Sequence, residues 1–575
     1  MEQNQSLLWP YGARHAELDP ELCAEELELA SLSAALLPGL SSQEALAETW
    51  SLLTRDIPTL DRRAEIVEAL IGDETLLQLM EECAAGFPLL DELWQTAQES
   101  GALASSLRTT AGLIGFVRGF EKVTGRSSGG VIESDVQRRD YYSGLFRSGW
   151  LGLRASRLYF DLLQKLTDHA GQAPEALSPL FSAAFKLMEQ DRGNESRALL
   201  DELTRTYPEP ASFSLDVSFS RDQRPAAISI AEIRTEPYRR DGVFQSKDWD
   251  GLSSMMRIPQ LSSGESFRTL LLAELGSAQK SQLGKLRREL GKLTISGVDT
   301  LSAYGRELRF FTAAARFALR LKEAGMPVCR PAYRQDGPLA EIRGLYSPVA
   351  ALYTGSQVPN DLHIGPGPDF SVLTGANGSG KTAFLMAAGQ SVWLALLGGF
   401  LPARSAEIAP PDRICCLFAA GECETGEDSR MGLETERLAR IGREATAASL
   451  VLLNDPLTST SAAEAVELCA ELICGFCKKG IRGLLVTHYS EIFDTAHKTL
   501  KEKGQSDALH SLAAASELVG GETRHSFRIE EAPPVRSGYA ARMAARYGVT
   551  LPAMLDTLRR SGVTLADTEG REFHE

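Results

Sequence analysis

The chain has 575 residues, 43% hydrophobic and 24% charged, with a formal net charge of −16 and a pI near 5.2. That length leaves room for about three or four domains with large cores, and the composition excludes a fibre or a disordered chain. The acidic balance excludes a surface coated in basic charge, so any contact with nucleic acid has to be local. Nine cysteines, an odd number scattered without a signal-peptide pattern, read as the reduced thiols of a cytoplasmic protein. Cys474-Gly-Phe-Cys477 has no second Cys or His pair beside it and reads as buried thiols.

From the start to about residue 205, apolar residues recur at spacings of three and four, which predicts helices over Pro20–Leu37, Leu60–Ile71 and Tyr141–His169 with breaks at Pro58 and over 125–130. Alternation over 211–219 and 226–233 predicts a strand pair turning at Arg221–Pro225. Lys280, Lys285, Arg287, Arg288 and Lys292, opposed by Glu289, form a basic cluster on a predicted helix. It reads either as a solvated helix face or as a contact to phosphate backbone, for which Lys285, Arg288 and Lys292 are the candidates. A further helix through Leu308, Phe311, Ala315 and Leu319 stops at Gly325 and Pro327. Short strands and turns follow Pro331, which places the main boundary near 345, between a mainly helical region (1–345) and an α/β region (346–575).

Phe370–Thr374 is a strand-like run, and Gly375-Ala-Asn377-Gly378-Ser379-Gly380-Lys381-Thr382 completes G-x-x-x-x-G-K-[ST] before an apolar helix. In such a loop glycines let backbone N–H groups close on phosphate oxygens, the lysine reaches the β and γ phosphates, and the threonine hydroxyl ligates Mg²⁺. The pattern predicts a nucleotide-binding protein. Ala383–Pro402 is uncharged and long enough to imitate a membrane span, but a helix whose N-terminus binds phosphate in water does not also cross a bilayer, so it reads as core and no membrane partner is expected. Ser429 opens a predicted helix whose N-terminus suits an anion. The buried-strand run Ser449–Leu453 ends in Asn454-Asp455, where this fold needs groups for Mg²⁺ and the attacking water, and the run 483–486 ends in Thr487-His488.

Taken in order, these blocks resemble the ATPase domain of the MutS family of DNA mismatch-repair proteins over about residues 345–560. The blocks are Val358–Asp361, Leu401–Ile414, Ser429 with Glu434, Ser449–Ser461, Val486–Phe493, and Arg536–Tyr539 with the helix after it. Leu52–Ile71 is similar to the start of that family's helical core and lever region. The resemblance implies an ABC-like P-loop ATPase domain behind a helical core and lever domain. It also implies ATP and Mg²⁺ as cofactors and a homodimer in which Ser429 reaches the partner's nucleotide. Gly375, Asn377, Gly378, Ser379, Gly380, Lys381 and Thr382 would hold nucleotide, Thr382 and Asn454 would ligate Mg²⁺, and Asp455 and His488 would be catalytic. The expected function is an ATP-switched clamp on DNA in mismatch repair or another repair or recombination process, in a family member without the mismatch-reading domain. Phe573-x-Glu575, the literal match to that domain's wedge, stands at the wrong end, and Leu261–Glu265, similar to an ABC-transporter signature, stands on the wrong side of the phosphate loop and reads as a helix start with Ser263 as cap.

Two departures from the family pattern carry expectations of their own. Asn454-Asp455 replaces Asp-Glu with a weaker Mg²⁺ ligand and a shorter acid, which predicts slow hydrolysis. Gln357 stands where the family stacks an aromatic on adenine. The alternative reading is an ATP-sensing module that binds protein, hydrolyses little and has no direct role on DNA.

Overall fold

A computed structural model of the chain describes residues 6–10, 18–124, 131–219, 225–236, 264–355, 357–418, 427–519, 522–536 and 547–560. The turn residues 221–224, the 125–130 break, residues 261–263, most of the Arg536–Tyr539 block and Phe573–Glu575 lie outside them.

Helices α1 (Leu29–Leu36), α2 (Ser42–Trp50) and α3 (Ile57–Gly72) lead into two long helices, α4 (Glu74–Thr124) and α5 (Val131–His169). Then come α6 (Ser178–Gln190), α7 (Gly193–Thr206), the pair β1 (Ser212–Phe219) and β2 (Pro225–Arg234), and helices α8 (Gly264–Ala278), α9 (Lys280–Leu290) and α10 (Val298–Glu323). The rest alternates: β3 (Ala332–Tyr333), β4 (Ala340–Leu345), α11 (Pro348–Thr354), β5 (Asn360–Ile364), β6 (Phe370–Thr374), α12 (Lys381–Leu396), β7 (Ser405–Ile408) and β8 (Ile414–Phe418). It ends with α13 (Glu427–Glu444), β9 (Leu450–Asn454), α14 (Ala462–Lys479), β10 (Arg482–Thr487), α15 (Glu491–Lys501), the hairpin β11 (Leu509–Val519) and β12 (Glu522–Glu531), and α16 (Leu551–Arg560).

Packing divides the chain into two compact units, Met1–Leu7 with Asp73–Thr312, and Leu8–Gly72 with Ala313–Glu575. The strands of the second unit set in after Pro331, with β3 and β4 lying before the expected boundary at 345. The packing boundaries fall elsewhere because the segment before α4 is bound to the strand-rich unit.

In the first unit α4 and α5 pack along each other, close enough at Gly144 that a β-carbon there would stand 2.8 Å from the Ser100 carbonyl oxygen. A buried carboxylate holds the entry to α10: Asp191 accepts from the Tyr159 hydroxyl, from the Ser296 amide at 2.9 Å and from the Ser296 hydroxyl at 2.8 Å. Burial pushes the Tyr159 phenol up, with the Asp191 bond adding to it, so the phenol stays a donor. β1 and β2 pair antiparallel with two register shifts.

In the second unit a six-stranded sheet has the order β12-β11-β6-β10-β9-β8, parallel throughout except for β12, and a four-stranded sheet has the order β3-β7-β4-β5. Every residue of β6 and of β10 is buried, as near-continuous apolar runs in a covered parallel sheet should be. α12 is buried on nearly all sides from Phe384 to Leu396, which accounts for the uncharged run in the sequence. Among the described residues no helix is long and apolar enough to cross a membrane.

The far end of α12 is held by polar groups. Its last carbonyls accept from the Tyr333 hydroxyl (Ala395, 2.7 Å), the Thr54 amide (Leu396, 3.0 Å) and the fully buried Arg63 (Leu397, 3.3 Å), which also bonds the carbonyls of Leu8 and Leu52.

The expected helix over Pro20–Leu37 is shorter in the structure. Pro20–Leu22 is a 3-10 turn, Glu28 sits in the left-handed region at φ 51°, and only Leu29–Leu36 is α-helical. The cause is tertiary: Arg440 pairs with Asp19 and Glu21, and Arg437 with Glu26, holding this segment along α13. Cys474 and Cys477 are buried free thiols on α14, Cys477 pushed up by burial to about 12, and no metal-ligating cluster occurs among the described residues.

Candidate functional site

The site is built at the carboxyl ends of three neighbouring parallel strands. Thr374 of β6 pairs with Thr487 of β10, and Asn454 of β9 pairs with Val486 of β10, so the loops leaving all three strands start at one level. In open α/β sheets that edge is where ligands bind.

After β6 the chain turns through Gly375 (φ 153°), Gly378 (77°) and Gly380 (92°), values that side chains with a β-carbon rarely adopt. α12 begins at Lys381. The Lys381 ammonium folds over the loop and donates to the carbonyls of Gly375 and Ala376, both at 2.9 Å. Burial lowers its pKa, and Asp455 opposes that shift. Ser379 is buried with an Oγ that has no hydrogen-bond partner, an orphan donor aimed within the loop, while Asn377 is exposed at its turn.

Across from the loop, the Thr382 hydroxyl lies 3.4 Å from Asn454 Oδ1 at the end of β9. Asp455 follows with φ 46°, its amide bonded to the Val486 carbonyl at 2.9 Å. One carboxylate oxygen, Oδ1, accepts from the His488 amide at 3.2 Å and stands 2.9 Å from His488 Nδ1. The imidazole rests on the Tyr489 ring with centroids 3.9 Å apart. Thus Lys381, Thr382, Asn454, Asp455 and His488 are brought together. Ser429 falls in the first turn of α13, whose backbone begins two residues earlier, but its side chain lies outside the described residues. Further along α13, buried Glu434 accepts from Ser459 Oγ at 3.1 Å, joining that helix to the loop after β9.

Beside Gly380 opens a cavity of about 510 Å³, walled by Tyr346, Gln357, Val358, Phe384 and Phe527. A β-carbon on Gly380 would stand 3.3 Å from the Phe527 ring. The sequence reading missed Phe527. It lies in an ordinary-looking strand, and the register break that turns it toward the loop leaves no local signal.

The basic cluster belongs to the first unit and is dispersed. Lys285 and Arg288 are exposed on α9, Arg287 donates to the Gly101 carbonyl at 3.4 Å, and the Lys280 ammonium lies 5.8 Å from the Tyr142 ring centroid. Lys292 lies beyond the end of α9, paired with Glu289 at 2.5 Å.

A strand, a glycine loop over a buried lysine, and a helix, with polar groups on the two neighbouring strand ends, define a phosphate-loop α/β module. Residues 371–532 match the model of MutS domain V. Relatives named DNA mismatch repair protein MutS include those of Treponema pallidum (32% identity over 181 residues, 30% of this chain and 20% of that protein) and Chlorobaculum parvum (35% over 169 residues, 28% and 19%). The relative from Oleidesulfovibrio alaskensis is 32% identical over 219 residues, 37% of this chain and 23% of that protein. Over this segment the chain is similar to the MutS family, and its matches span about a fifth of the length of these relatives.

Proposed function

We propose that the chain is a cytoplasmic MutS-like ATPase that binds DNA, with an ABC-like P-loop domain at 346–575 and a helical core and lever region at 1–345. The observation that supports this most is the meeting of Lys381, Thr382, Asn454, Asp455 and His488 at three adjacent strand ends. The fit to a nucleotide rests on the loop itself: the buried Ser379 hydroxyl has no hydrogen-bond partner, Gly375, Gly378 and Gly380 have positive φ, and the lysine ammonium lies over the loop carbonyls. The cavity lined by Val358 and Phe527 is the place for the base, with Phe527 as an aromatic face in its lining beside Gln357.

In this reading Gly375–Thr382 hold the phosphates, and Thr382 and Asn454 hold Mg²⁺, which when bound neutralises phosphate charge. Asp455 accepts a proton from water, and His488 orients its carboxylate. Two copies would close around two nucleotides, each Ser429 serving the partner's site, and that closure would change the grip on DNA. A Ser429→Arg copy mixed with a Lys381→Ala copy would then place both faults in one composite site and leave the other intact. Restored activity in the mixture is expected, and activity no higher than that of either variant alone would contradict the trans geometry.

The test of the function as a whole is ATP binding and single-turnover hydrolysis with and without Mg²⁺, alongside binding to homoduplex, mismatched, branched and single-stranded DNA. Mg²⁺-dependent ATP binding that alters affinity for at least one of these DNAs is expected. ATP binding without any effect on DNA would favour the second reading, a sensor that binds protein. The observation on that side is the Asn454-Asp455 pair, with its uncharged ligand and short acid.

A further inference from the structure

The two walls of the cavity beside Gly380 come from distant parts of the chain, Gln357 and Val358 before β5 and Phe527 on β12. Phe527 reaches the cavity because β12 is irregular. Between the pairs Ala514–Ile529 and Ser516–His525, the single residue Ala515 faces three of β12, and Ser526 Oγ donates to the Ala515 carbonyl at 2.8 Å. At the tip of this bulge Phe527 has φ 57°, a left-handed conformation that a residue with a bulky side chain keeps only where surrounding contacts enforce it. The residue is 46% exposed, so apolar burial is not what enforces it.

Hydrogen bonds are: Ser526 Oγ accepts from the Arg528 amide at 3.3 Å, and two more come from Asn360. Its Nδ2 donates to the Phe527 carbonyl at 3.0 Å and its Oδ1 accepts from the Ile529 amide at 2.8 Å, which fixes the two peptide groups that follow Phe527. The same Nδ2 lies 3.2 Å from the carbonyl of Val358, the lining residue from the other segment. One planar carboxamide therefore ties both walls. A carboxylate would keep only the acceptor half of this arrangement, and an alanine neither.

We propose that Asn360 is a positioning residue that sets the slot between Val358 and Phe527, so that it governs the base-dependent part of nucleotide affinity while leaving the phosphate-dependent part alone. This rests on the reading above that the cavity takes the base of the nucleotide.

The experiment measures affinity of the full chain for ATP and for inorganic tripolyphosphate, which has no base, in a double-mutant cycle of Asn360→Ala and Phe527→Ala. Asn360→Ala is expected to weaken ATP binding about tenfold and tripolyphosphate binding less than about twofold, and the double variant to bind ATP no more weakly than Phe527→Ala alone, because residues acting as one unit are non-additive. If Phe527→Ala leaves ATP affinity unchanged, the cavity is not the base site and the inference falls with it. If Phe527→Ala weakens ATP binding but Asn360→Ala does not, or the two losses add, the base site stands and the role of Asn360 is overturned. Should Asn360→Ala not fold, Asn360→Asp carries the same comparison: a loss confined to ATP supports the inference, and an equal loss for both ligands, or no loss, overturns it.

Discussion

Lys381 is charged at a cost, since its ammonium is buried against carbonyls and burial lowers its pKa below that of an ordinary lysine. Below the lowered value the ammonium is charged and attracts phosphate; as pH rises through it the charge is lost, earlier than for an exposed lysine. ATP affinity is therefore expected to decline on the alkaline side before pH 10.5, the ordinary lysine value, and the decline should vanish in Lys381→Arg, whose guanidinium stays charged, as titrations of ATP affinity against pH would show. Asp455 is the other residue whose chemistry is open to test. Its Oδ1 is held by His488, and a glutamate would carry its carboxylate forward by roughly 1.5 Å, a carbon–carbon bond length. A misplacement of about 1 Å can cost on the order of a hundredfold in rate, so Asp455→Glu is expected to accelerate single-turnover hydrolysis over the parent chain. A parent rate well above both Asp455→Glu and Asp455→Ala would show that the short acid is already well placed. The loop residues were readable from the sequence because fixed spacing along one strand-loop-helix sets their positions. The pairing of Phe527 with Asn360 was not, because what joins them is a bulge and two hydrogen bonds between segments about 170 residues apart, the sequence separations of those bonds being 167 and 169.

At the scale of elements, α12 links the phosphate loop to the segment that precedes α4. Its apolar character was plain in the sequence, and the reading of Ala383–Pro402 as core agrees with a helix buried on nearly all sides. What the sequence did not show is how that helix ends. Arg63 looked like one charge among several in Leu52–Ile71, yet it is fully buried and bonds the carbonyls of Leu8, Leu52 and Leu397. No local pattern marks an arginine that will satisfy a carbonyl more than 300 positions away, as the 334-residue separation from Leu397 illustrates. Pro20–Leu37 fails for the related reason that Arg437 and Arg440 hold its acidic residues, overriding the helical spacing. Replacing Arg63 by Met keeps volume but strands three buried carbonyls, so Arg63→Met is expected to lower stability by about 3 kcal/mol. Urea unfolding followed by circular dichroism would measure it, and a loss below about 1 kcal/mol would mean that water or relaxation satisfies those carbonyls.

For the whole molecule the question that the proposed function raises is how a chain with a net charge of −16 would hold DNA. Long-range repulsion opposes the encounter, so affinity has to come from a few well-placed cations, and each phosphate neutralised contributes about 0.9 to the slope of log affinity against log salt. On α9, Leu283 and Leu286 are buried while Lys285 and Arg288 stay exposed, which leaves these two cations on the face away from the packing. Arg287 is turned to the Gly101 carbonyl and Lys292 is paired with Glu289, so the net charge of the cluster overstates what it offers a phosphate backbone. Duplex binding measured across a salt series should therefore show a steep slope for the parent chain that falls by up to about 2 in the double variant Lys285→Ala with Arg288→Ala, two phosphates' worth of counterion release. ATP binding should be untouched by these substitutions, because α9 belongs to the other packing unit from the phosphate loop. An unchanged slope in that variant would mean the cluster is only a solvated helix face. A parent chain whose binding to duplex is absent at low salt would remove DNA from the account and leave the phosphate-loop module as a switch read by another protein.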